Sequence, residues 1–322
     1  MRTILLTGAA GFIGASTGKM LLDQGVRVVG LDNMNDYYDV RMKEYRLKEL
    51  KAYKNFTFQK CDIEDPAALG RIFKKYKFDA VMNLAARAGV PYSMKNPMVY
   101  MTTNGNGTLN LLEQCRSHKI KKFLLASTSS LYAGQKMPFK ESLPVNTPIS
   151  PYAASKKAAE VMAYTYHYLY GIDVTVVRYF TVYGPAGRPD MSVFRFMSWI
   201  DQEKPIELFG DGTQSRDFTY VDDIAAGSIK ALKKVGYKVI NLGGNDPYDL
   251  NVMIGLIAKY LGKKVKVKRF AFQKTDIKAT WADISEAQKT LKWSPKVGLE
   301  DGIKRTVDWY LANKAWVSKI KL

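Results

Sequence analysis

The tyrosine and lysine of the segment YAASK, Tyr152 and Lys156, are best placed in this 322-residue chain, by type and spacing, for proton transfer. Residues four apart lie on one face of a helix, so both side chains would reach the same bound molecule. A free tyrosine has a pKa of about 10, too high for a base at neutral pH, but a neighbouring ammonium group favours the phenolate. The pair therefore predicts a tyrosine that removes the proton of a substrate hydroxyl. The alternative is a helix start with an incidental Tyr/Lys pair, because this spacing is common by chance.

A row of serine and threonine residues, Ser127 to Ser130, follows the apolar run FLLA. A buried strand that ends in hydroxyl groups offers hydrogen bonds to a substrate without a strong acid or base. We expect Thr128 to hydrogen-bond the substrate oxygen whose proton Tyr152 removes. The segment STSSLY contains no carboxylate, so it lacks the general acid and base that elimination of water would need.

A glycine-rich turn, TGAAGFIG, with Gly8, Gly11 and Gly14, follows the first strand-like run and opens a helical pattern. Glycines at this spacing let the backbone turn tightly and approach a pyrophosphate at the helix N-terminus. About 20 residues on, the second strand ends in Asp32, which suits the ribose hydroxyls of NAD and repels the 2′-phosphate of NADP. Asp62, after the third strand, would accept from the adenine amino group or cap the next turn. The alternative is an αβ turn that binds no nucleotide.

A bound NAD would extend the roles of Tyr152 and Lys156. Its positively charged nicotinamide ring would favour the phenolate together with the ammonium of Lys156. Tyr152 would take the hydroxyl proton while hydride leaves the same carbon, and Lys156 would also hold the nicotinamide ribose. Small residues in NLAA, from Asn83 to Ala86, leave room beside the cofactor.

Short apolar runs alternate with helical patterns through the first half of the chain. This alternation predicts an α/β protein with a Rossmann-type, doubly wound parallel sheet. After Pro185 the pattern changes, which indicates a smaller α/β substrate-binding region at the C-terminal side. The predicted division is residues 1–184 plus about 222–246 for the NAD-binding domain and about 185–221 plus 247–322 for the nucleotide-sugar-binding domain. The predicted strands are Thr3–Thr7, Arg27–Asp32, Thr57–Lys60, Ala80–Leu84, Lys122–Ser127, Val174–Tyr179 and Lys238–Leu242.

Composition narrows the class of protein. The formal net charge of +19 comes from scattered lysines, which indicates a solvated basic surface and a field that favours anionic substrates. No nucleic-acid-binding module is recognisable, so no nucleic-acid partner is predicted. The sequence has neither a membrane-length apolar run nor a secretory signal ahead of its first strand. Its two cysteines and two histidines form no disulfide framework or metal-ligand motif, so we predict a cytoplasmic protein without a metal.

Longer motifs identify a family. The chain resembles the nucleotide-sugar 4-epimerases of the extended short-chain dehydrogenase/reductase family over essentially its whole length. The glycine turn is common in that family, whereas DNMNDYYD (32–39), RYFTVYGP (178–185), RPDM (188–191) and QSRDF (214–218) are more specific. The resemblance implies NAD-dependent epimerisation at C4 of a nucleotide sugar, most closely of UDP-glucuronate to UDP-galacturonate. The sugar would be oxidised to a 4-keto intermediate, rotate, and be reduced on its other face.

The resemblance also assigns roles to individual residues. It implies a catalytic set of Thr128, Tyr152 and Lys156. The residues implied in NAD binding are Gly8, Gly11, Phe12, Ile13, Gly14, Asp32, Asn33, Asp62, Ile63, Leu84, Ala85, Ala86, Tyr152, Lys156 and Tyr179.

Substrate-binding residues follow from the same resemblance. Ser129, Ser130 and Thr181 would surround the C6 carboxylate, because short neutral donors hold an anion while the sugar turns, whereas a bidentate arginine would pin it. Two arginines would clamp the UDP diphosphate, and one aspartate would touch the nucleotide ribose or order a loop: Arg188, Arg216 and Asp283. The alternatives are surface salt bridges for the arginines and strand-end capping for the serines.

Two positions near the substrate depart from the family pattern. Pro91 stands where UDP-glucuronate epimerases usually have arginine, and Arg87 where they often have glutamine. These changes keep open a 4-epimerase for UDP-glucose, for its N-acetyl relative or for another nucleotide sugar. Ser129 and Ser130 argue against the dehydratases, which have Asp-Glu there, and against the UDP-glucuronate decarboxylases, which have glutamate at the second position.

The family often forms dimers through helices that flank the sheet, so the resemblance implies a homodimer. The candidate faces are NGTLNLLEQC (106–115) and AAEVMAYTYHYLYG (158–171), which could equally be buried within one subunit. A non-enzymatic binding protein on this fold is the remaining alternative, and the intact Tyr152/Lys156 pair argues against it.

Overall fold

A seven-stranded sheet forms the centre of the molecule. The computed structural model describes residues 2–271 and 277–322. The strands of the sheet are β1 (Thr3–Thr7), β2 (Arg27–Asp32), β3 (Phe56–Lys60), β4 (Ala80–Asn83), β5 (Lys122–Thr128), β6 (Asp173–Tyr179) and β10 (Tyr237–Leu242). All neighbouring pairs are parallel, in the order β10-β6-β5-β4-β1-β2-β3. This is the doubly wound dinucleotide-binding order with one added edge strand, so the predicted fold class is confirmed.

Helices cover both faces of this sheet. Ile4 and Leu6 belong to one buried cluster, whereas Leu5 belongs to the cluster on the other face. This alternation is the period of two expected for a strand buried on both sides. The covering helices are α1 (Phe12–Asp23), α2 (Arg41–Lys51), α3 (Pro66–Lys75), α6 (Gly107–Ser117), α7 (Pro151–Tyr170) and α9 (Val221–Lys230). Two short helices, α4 (Val90–Lys95) and α5 (Met98–Tyr100), lie between β4 and α6 in the chain.

The long helix α7 has clear start and stop signals. The Ser150 side chain accepts from the amide of Ala153 at 3.2 Å, and Pro151 occupies the first helical position. Gly171 ends the helix with a φ of 63°, a left-handed conformation that glycine adopts without steric cost. These signals fix the start of the helix and place Tyr152 at its second position.

A smaller region follows β6 and has a third buried cluster, built mainly from Val193 to Leu208 and from the last helices. Its strands are β7 (Thr181–Tyr183), β8 (Ile206–Phe209), β9 (Ser215–Tyr220), β11 (Pro247–Asp249) and β12 (Val267–Phe270). They form a three-stranded sheet, β11-β9-β7, and a two-stranded sheet, β12-β8. The helices are α8 (Ser192–Asp201), α10 (Leu250–Leu261), α11 (Ser285–Leu291), α12 (Leu299–Ala312) and α13 (Lys314–Val317).

The predicted strands agree with the observed ones to within one residue at each end. The main local difference precedes α6, where residues Met101–Asn106 form a widened π-helical turn. Both cysteines are free and buried. Across residues 2–271 and 277–322, the structure has no His/Cys/Asp/Glu cluster able to hold a metal and no helix long and apolar enough to cross a bilayer.

Candidate active site

A cleft of about 610 Å³ opens at the carboxyl edge of the central sheet. It lies where β1 and β4 run side by side and the strand order reverses, the usual place for a ligand in an open α/β sheet. Strand register brings the ends of the strands together: Thr7 pairs with Asn83, and Thr128 with Tyr179. All fifteen residues implied in NAD binding line this cleft, as do Thr128, Ser129, Ser130, Thr181 and Arg188.

The glycine turn meets the backbone beyond β4 at close range. Gly8 has a φ of 68°, and a Cβ there would lie 2.8 Å from the amide nitrogen of Ala85. A Cβ on Gly14 would lie 2.0 Å from the carbonyl oxygen of Gly8. Only glycine fits either position. The first amides of α1, from Phe12 onward, have no acceptor within the helix and can bind an anion.

Asp32 is buried next to the glycine turn. Its carboxylate accepts from the amides of Ala10 at 3.2 Å and Met34 at 2.9 Å, and it lies 3.4 Å from Nζ of Lys43. Beside it, the Asn33 amide donates to Asp62 at 2.7 Å. Two carboxylates, an amide and a glycine cradle fit the adenosine and pyrophosphate of a dinucleotide.

Tyr152 and Lys156 lie one turn apart on α7, and both side chains line the cleft. A hydrogen bond from Thr128 lowers the pKa of Tyr152, but burial outweighs it and raises the pKa overall. The Lys156 ammonium donates to the carbonyl oxygen of Ala126 at 2.9 Å, and burial lowers its pKa to about 8. In the protein alone, burial therefore favours the neutral phenol of Tyr152. The expectation that Lys156 and a bound, positively charged nicotinamide favour the phenolate stays a prediction.

The hydroxyl row turns away from β5 in a single 3₁₀ turn, Ser129–Tyr132. The Thr128 hydroxyl accepts from the Ser130 amide and donates to the Ser130 hydroxyl, both at 3.1 Å. Strand-end capping therefore does occur here, made by Thr128 itself. Ser129, Ser130 and Thr181 line the same cleft as Tyr152.

Arg188 reaches the cleft but is already engaged. Its guanidinium pairs with Asp190 at 3.0 and 2.5 Å and lies over the rings of Tyr37 and Tyr38, at 5.8 and 5.9 Å from their centroids. Nη2, one of the two nitrogens paired with Asp190, also lies 3.5 Å from the carbonyl oxygen of Ala88. The group is thus fixed in orientation before a diphosphate would arrive.

The structure does not bring Arg216 and Asp283 to this cleft. Arg216 donates to the carbonyls of Ser215 at 2.8 Å and Lys278 at 3.3 Å. Asp283 accepts from the Ser285 amide at 2.9 Å, which orders the start of α11. This hydrogen bond supports the alternative in which Asp283 orders a loop. The diphosphate role of Arg216 stays a prediction.

Two residues that sequence reasoning missed lie on α2. Lys43 lies 3.4 Å from Asp32 and lines the cleft, although the scattered lysines of the chain were expected on a solvated surface. Arg46 is 3% exposed and donates to backbone carbonyls of two distant loops. The only sequence signal was their position directly after the DNMNDYYD motif.

Known proteins with a similar sequence identify the family of this chain. Residues 5–306 match the family model described as GDP-mannose 4,6 dehydratase. The UDP-glucuronate 4-epimerase of Thermodesulfobacterium geofontis is 56% identical over 319 residues, which cover 99% of each chain. The chain belongs to the extended short-chain dehydrogenase/reductase family. The family identified from the sequence motifs is thereby confirmed.

Solved members of the family have the same architecture. The Bacillus cereus UDP-glucuronic acid 4-epimerase, in complex with UDP-glucuronic acid and NAD, is similar with a TM-score of 0.91 and 37% identity, covering 97% of this chain and 100% of that one. The Thermotoga maritima UDP-glucose 4-epimerase, with UDP-glucose, has a TM-score of 0.89 and 31% identity, covering 97% and 100%. Both glucuronate and neutral-sugar epimerases therefore share this fold.

Proposed function

We infer that this protein is an NAD-dependent 4-epimerase that interconverts UDP-glucuronate and UDP-galacturonate. The observation that carries the inference is the hydroxyl row, Thr128 to Ser130, which lines the same cleft as Tyr152. The described carboxylates that line the cleft are Asp32, Asp62 and Asp190. The first two lie at the cofactor end, and the third is paired with Arg188. None of them follows β5, where elimination or decarboxylation chemistry would need an acid or a base.

The residues of the chain divide the work as follows. Tyr152 takes the proton of the C4 hydroxyl and later returns it. Thr128, which already interacts with the Tyr152 phenol, hydrogen-bonds the same oxygen and orients it. Ser129, Ser130 and Thr181 hold the C6 carboxylate through neutral donors, so the ring can turn without losing its anchor.

The cleft fits NAD, which when bound accepts hydride from C4 and returns it to the opposite face of the sugar. The glycine cradle and the first amides of α1 would hold its pyrophosphate, and Asp32 the adenosine ribose. Lys156 would hold the nicotinamide ribose from its position beside Ala126.

Proton NMR of purified protein with UDP-glucuronate in D₂O tests this function. We expect UDP-galacturonate to appear with no deuterium at C4 or C5, because the same hydride is removed and returned and C5 is never deprotonated. Release of carbon dioxide, an accumulating 4-keto sugar or deuterium at C5 would each contradict the proposal. Conversion of UDP-glucose but not UDP-glucuronate would show a neutral-sugar epimerase instead.

We also propose a division of labour along the chain. Residues 1–184 plus about 222–246 would bind NAD, and residues 185–221 plus 247–322 the nucleotide sugar. The third buried cluster, confined largely to the second set, supports this division. The free, buried cysteines support a reducing, cytoplasmic setting.

The exposed face of α7 supports the proposed homodimer. Val161, Tyr164 and Tyr168 recur at helical spacing and are 52%, 49% and 76% exposed, whereas among the described residues of α6 no large apolar side chain is exposed. A stripe of large apolar side chains on one helix suits a self-complementary contact with a second copy. Light scattering should give twice the mass of one chain, and Tyr164→Glu with Tyr168→Glu should give single chains. A monomeric unaltered protein would contradict the dimer.

A further inference from the structure

Arg87 lies in the loop beyond β4 and lines the cleft. Its Nε is buried and has no hydrogen-bond partner. Within residues 2–271 and 277–322, no hydrogen bond or ion pair of its guanidinium group is found either. A buried cationic N–H without an acceptor is costly, so a ligand oxygen that reached it would be bound favourably.

The other cations that line the cleft are all engaged. Lys43 lies 3.4 Å from Asp32, Arg188 lies 2.5 Å from Asp190, and Arg195 lies 3.5 Å from Glu207. Lys156 donates to a backbone carbonyl at 2.9 Å. Among the cleft-lining cations that the structure describes, Arg87 is thus the one whose guanidinium group has no protein acceptor and can bind a ligand.

The backbone of Arg87 is fixed at the catalytic end of the cleft. Its amide donates to Oδ1 of Asn104 at 2.9 Å, and its carbonyl accepts from Nδ2 at 3.0 Å. The same Nδ2 donates to the hydroxyl of Ser155 at 2.9 Å. Ser155 is next to Lys156 on α7, so this loop and the catalytic helix are held in one arrangement.

We propose that the guanidinium group of Arg87 binds an oxyanion of the nucleotide sugar. The inference rests on the proposed function, because a uronate brings a carboxylate to a pocket whose hydroxyls supply hydrogen bonds but no opposite charge. A carboxylate in a partly desolvated site is bound well only if its charge is compensated. Carboxylate and diphosphate oxygens share this chemistry; the position of Arg87 beside α7 favours the carboxylate. A single contact from the buried Nε would compensate its charge, without the bidentate grip that would stop the sugar from turning.

Binding measurements on Arg87→Gln test the proposal and distinguish the two oxyanions. Titration calorimetry with UDP-glucuronate, UDP-glucose and UDP separates them, because only the first has the carboxylate and all three have the diphosphate. If the carboxylate is the partner, Kd for UDP-glucuronate alone should rise about 10- to 100-fold, the range of a charged hydrogen bond. If the diphosphate is the partner, Kd should rise for all three. Arg87→Lys, which keeps the charge, should recover part of the lost affinity.

A matched control removes an exposed arginine from the same chain. Arg305 pairs with Asp301 on the surface of α12, and Arg305→Gln should leave all three Kd values unchanged. Unchanged Kd values in a folded Arg87→Gln protein would overturn the proposal, as would weakened binding of NAD alone. The NMR assay on the unaltered chain tests the proposed function separately, and failure to turn over UDP-glucuronate would count against that function alone. The titrations of the Arg87 variants with UDP would still show whether Arg87 binds the diphosphate.

Discussion

Arg46 joins the cofactor turn to the substrate loop, and its replacement should weaken both. Its Nε donates to the carbonyl of Ala186 at 2.9 Å and its Nη2 to Gly187 at 3.0 Å. Its Nη1 donates to the carbonyl of Ala10 at 3.2 Å and to the hydroxyl of Tyr38 at 2.8 Å. Ala10 belongs to the glycine turn, and Gly187 precedes Arg188, so one buried side chain positions both ends of the cleft.

The contacts set the size of the effect for Arg46→Met, which keeps the length of the side chain and removes its donors. Four hydrogen bonds from a charged donor contribute about 6–12 kcal/mol at about 1.5–3 kcal/mol each. Desolvation of the guanidinium, several kcal/mol in a protein interior, offsets much of this. We expect a net loss of about 2–4 kcal/mol, which for a chain of this size lowers Tm by about 3–6 °C.

Thermal denaturation and two binding titrations check this expectation. Kd for NAD and Kd for UDP-glucuronate should both rise, because the turn and the loop lose the same anchor. Arg41→Met is the matched control: it lies on the same helix, and its side chain is 44% exposed in an ion pair with Asp39, so Tm should change little. An Arg46→Met protein with unaltered Tm, or with only one of the two Kd values changed, would refute the reasoning.

Three further predictions concern the catalytic end of the cleft. Tyr152→Phe should lower kcat by about 10²- to 10⁴-fold while UDP-glucuronate still binds, because a general base contributes that much; undiminished turnover would show that the phenol is not the base. Burial lowers the pKa of Lys156 from 10.5 to about 8, so the folded chain binds fewer protons than the unfolded chain between these values, and the contribution of this group to stability rises with pH there. Lys156→Met should accordingly raise Tm at pH 7 and lose most of that gain by pH 10, measured by calorimetry. An equal shift at both pH values would contradict the burial argument. Ser130→Glu should lower kcat/KM for UDP-glucuronate at least about 10-fold by like-charge repulsion, with Ser130→Gln as its neutral match; equal losses in the two variants would mean that size and not charge matters.

Much of the fold was predictable because its signals are local. Strands buried on both faces appear as continuous apolar runs, and the glycine turn follows the first of them directly. In a parallel sheet, the residues that end neighbouring strands meet at one edge. Asp32, Thr128 and Tyr179 could therefore be assigned to one cleft from their positions alone.

The electrostatic state of the site was less predictable. Helical spacing placed Tyr152 and Lys156 on one face, but the tertiary structure turns the ammonium towards β5 and buries both groups. Desolvation then moves the pKa of each away from the charged form. Burial is a property of the whole packed neighbourhood, which no short motif encodes.

The sequence by itself determined the parallel sheet, the dinucleotide end and a hydroxyl-lined reaction centre, because these depend on residue type and short-range spacing. Only the tertiary structure decided which charged groups are available to a ligand. Arg46 meets a carbonyl 140 residues away, Arg188 is engaged by Asp190, and Arg87 keeps a buried nitrogen unpaired. Arg216 instead donates to carbonyls outside the cleft. The physical reason is that a hydrogen bond or ion pair depends on distances of a few ångströms between groups that folding alone brings together.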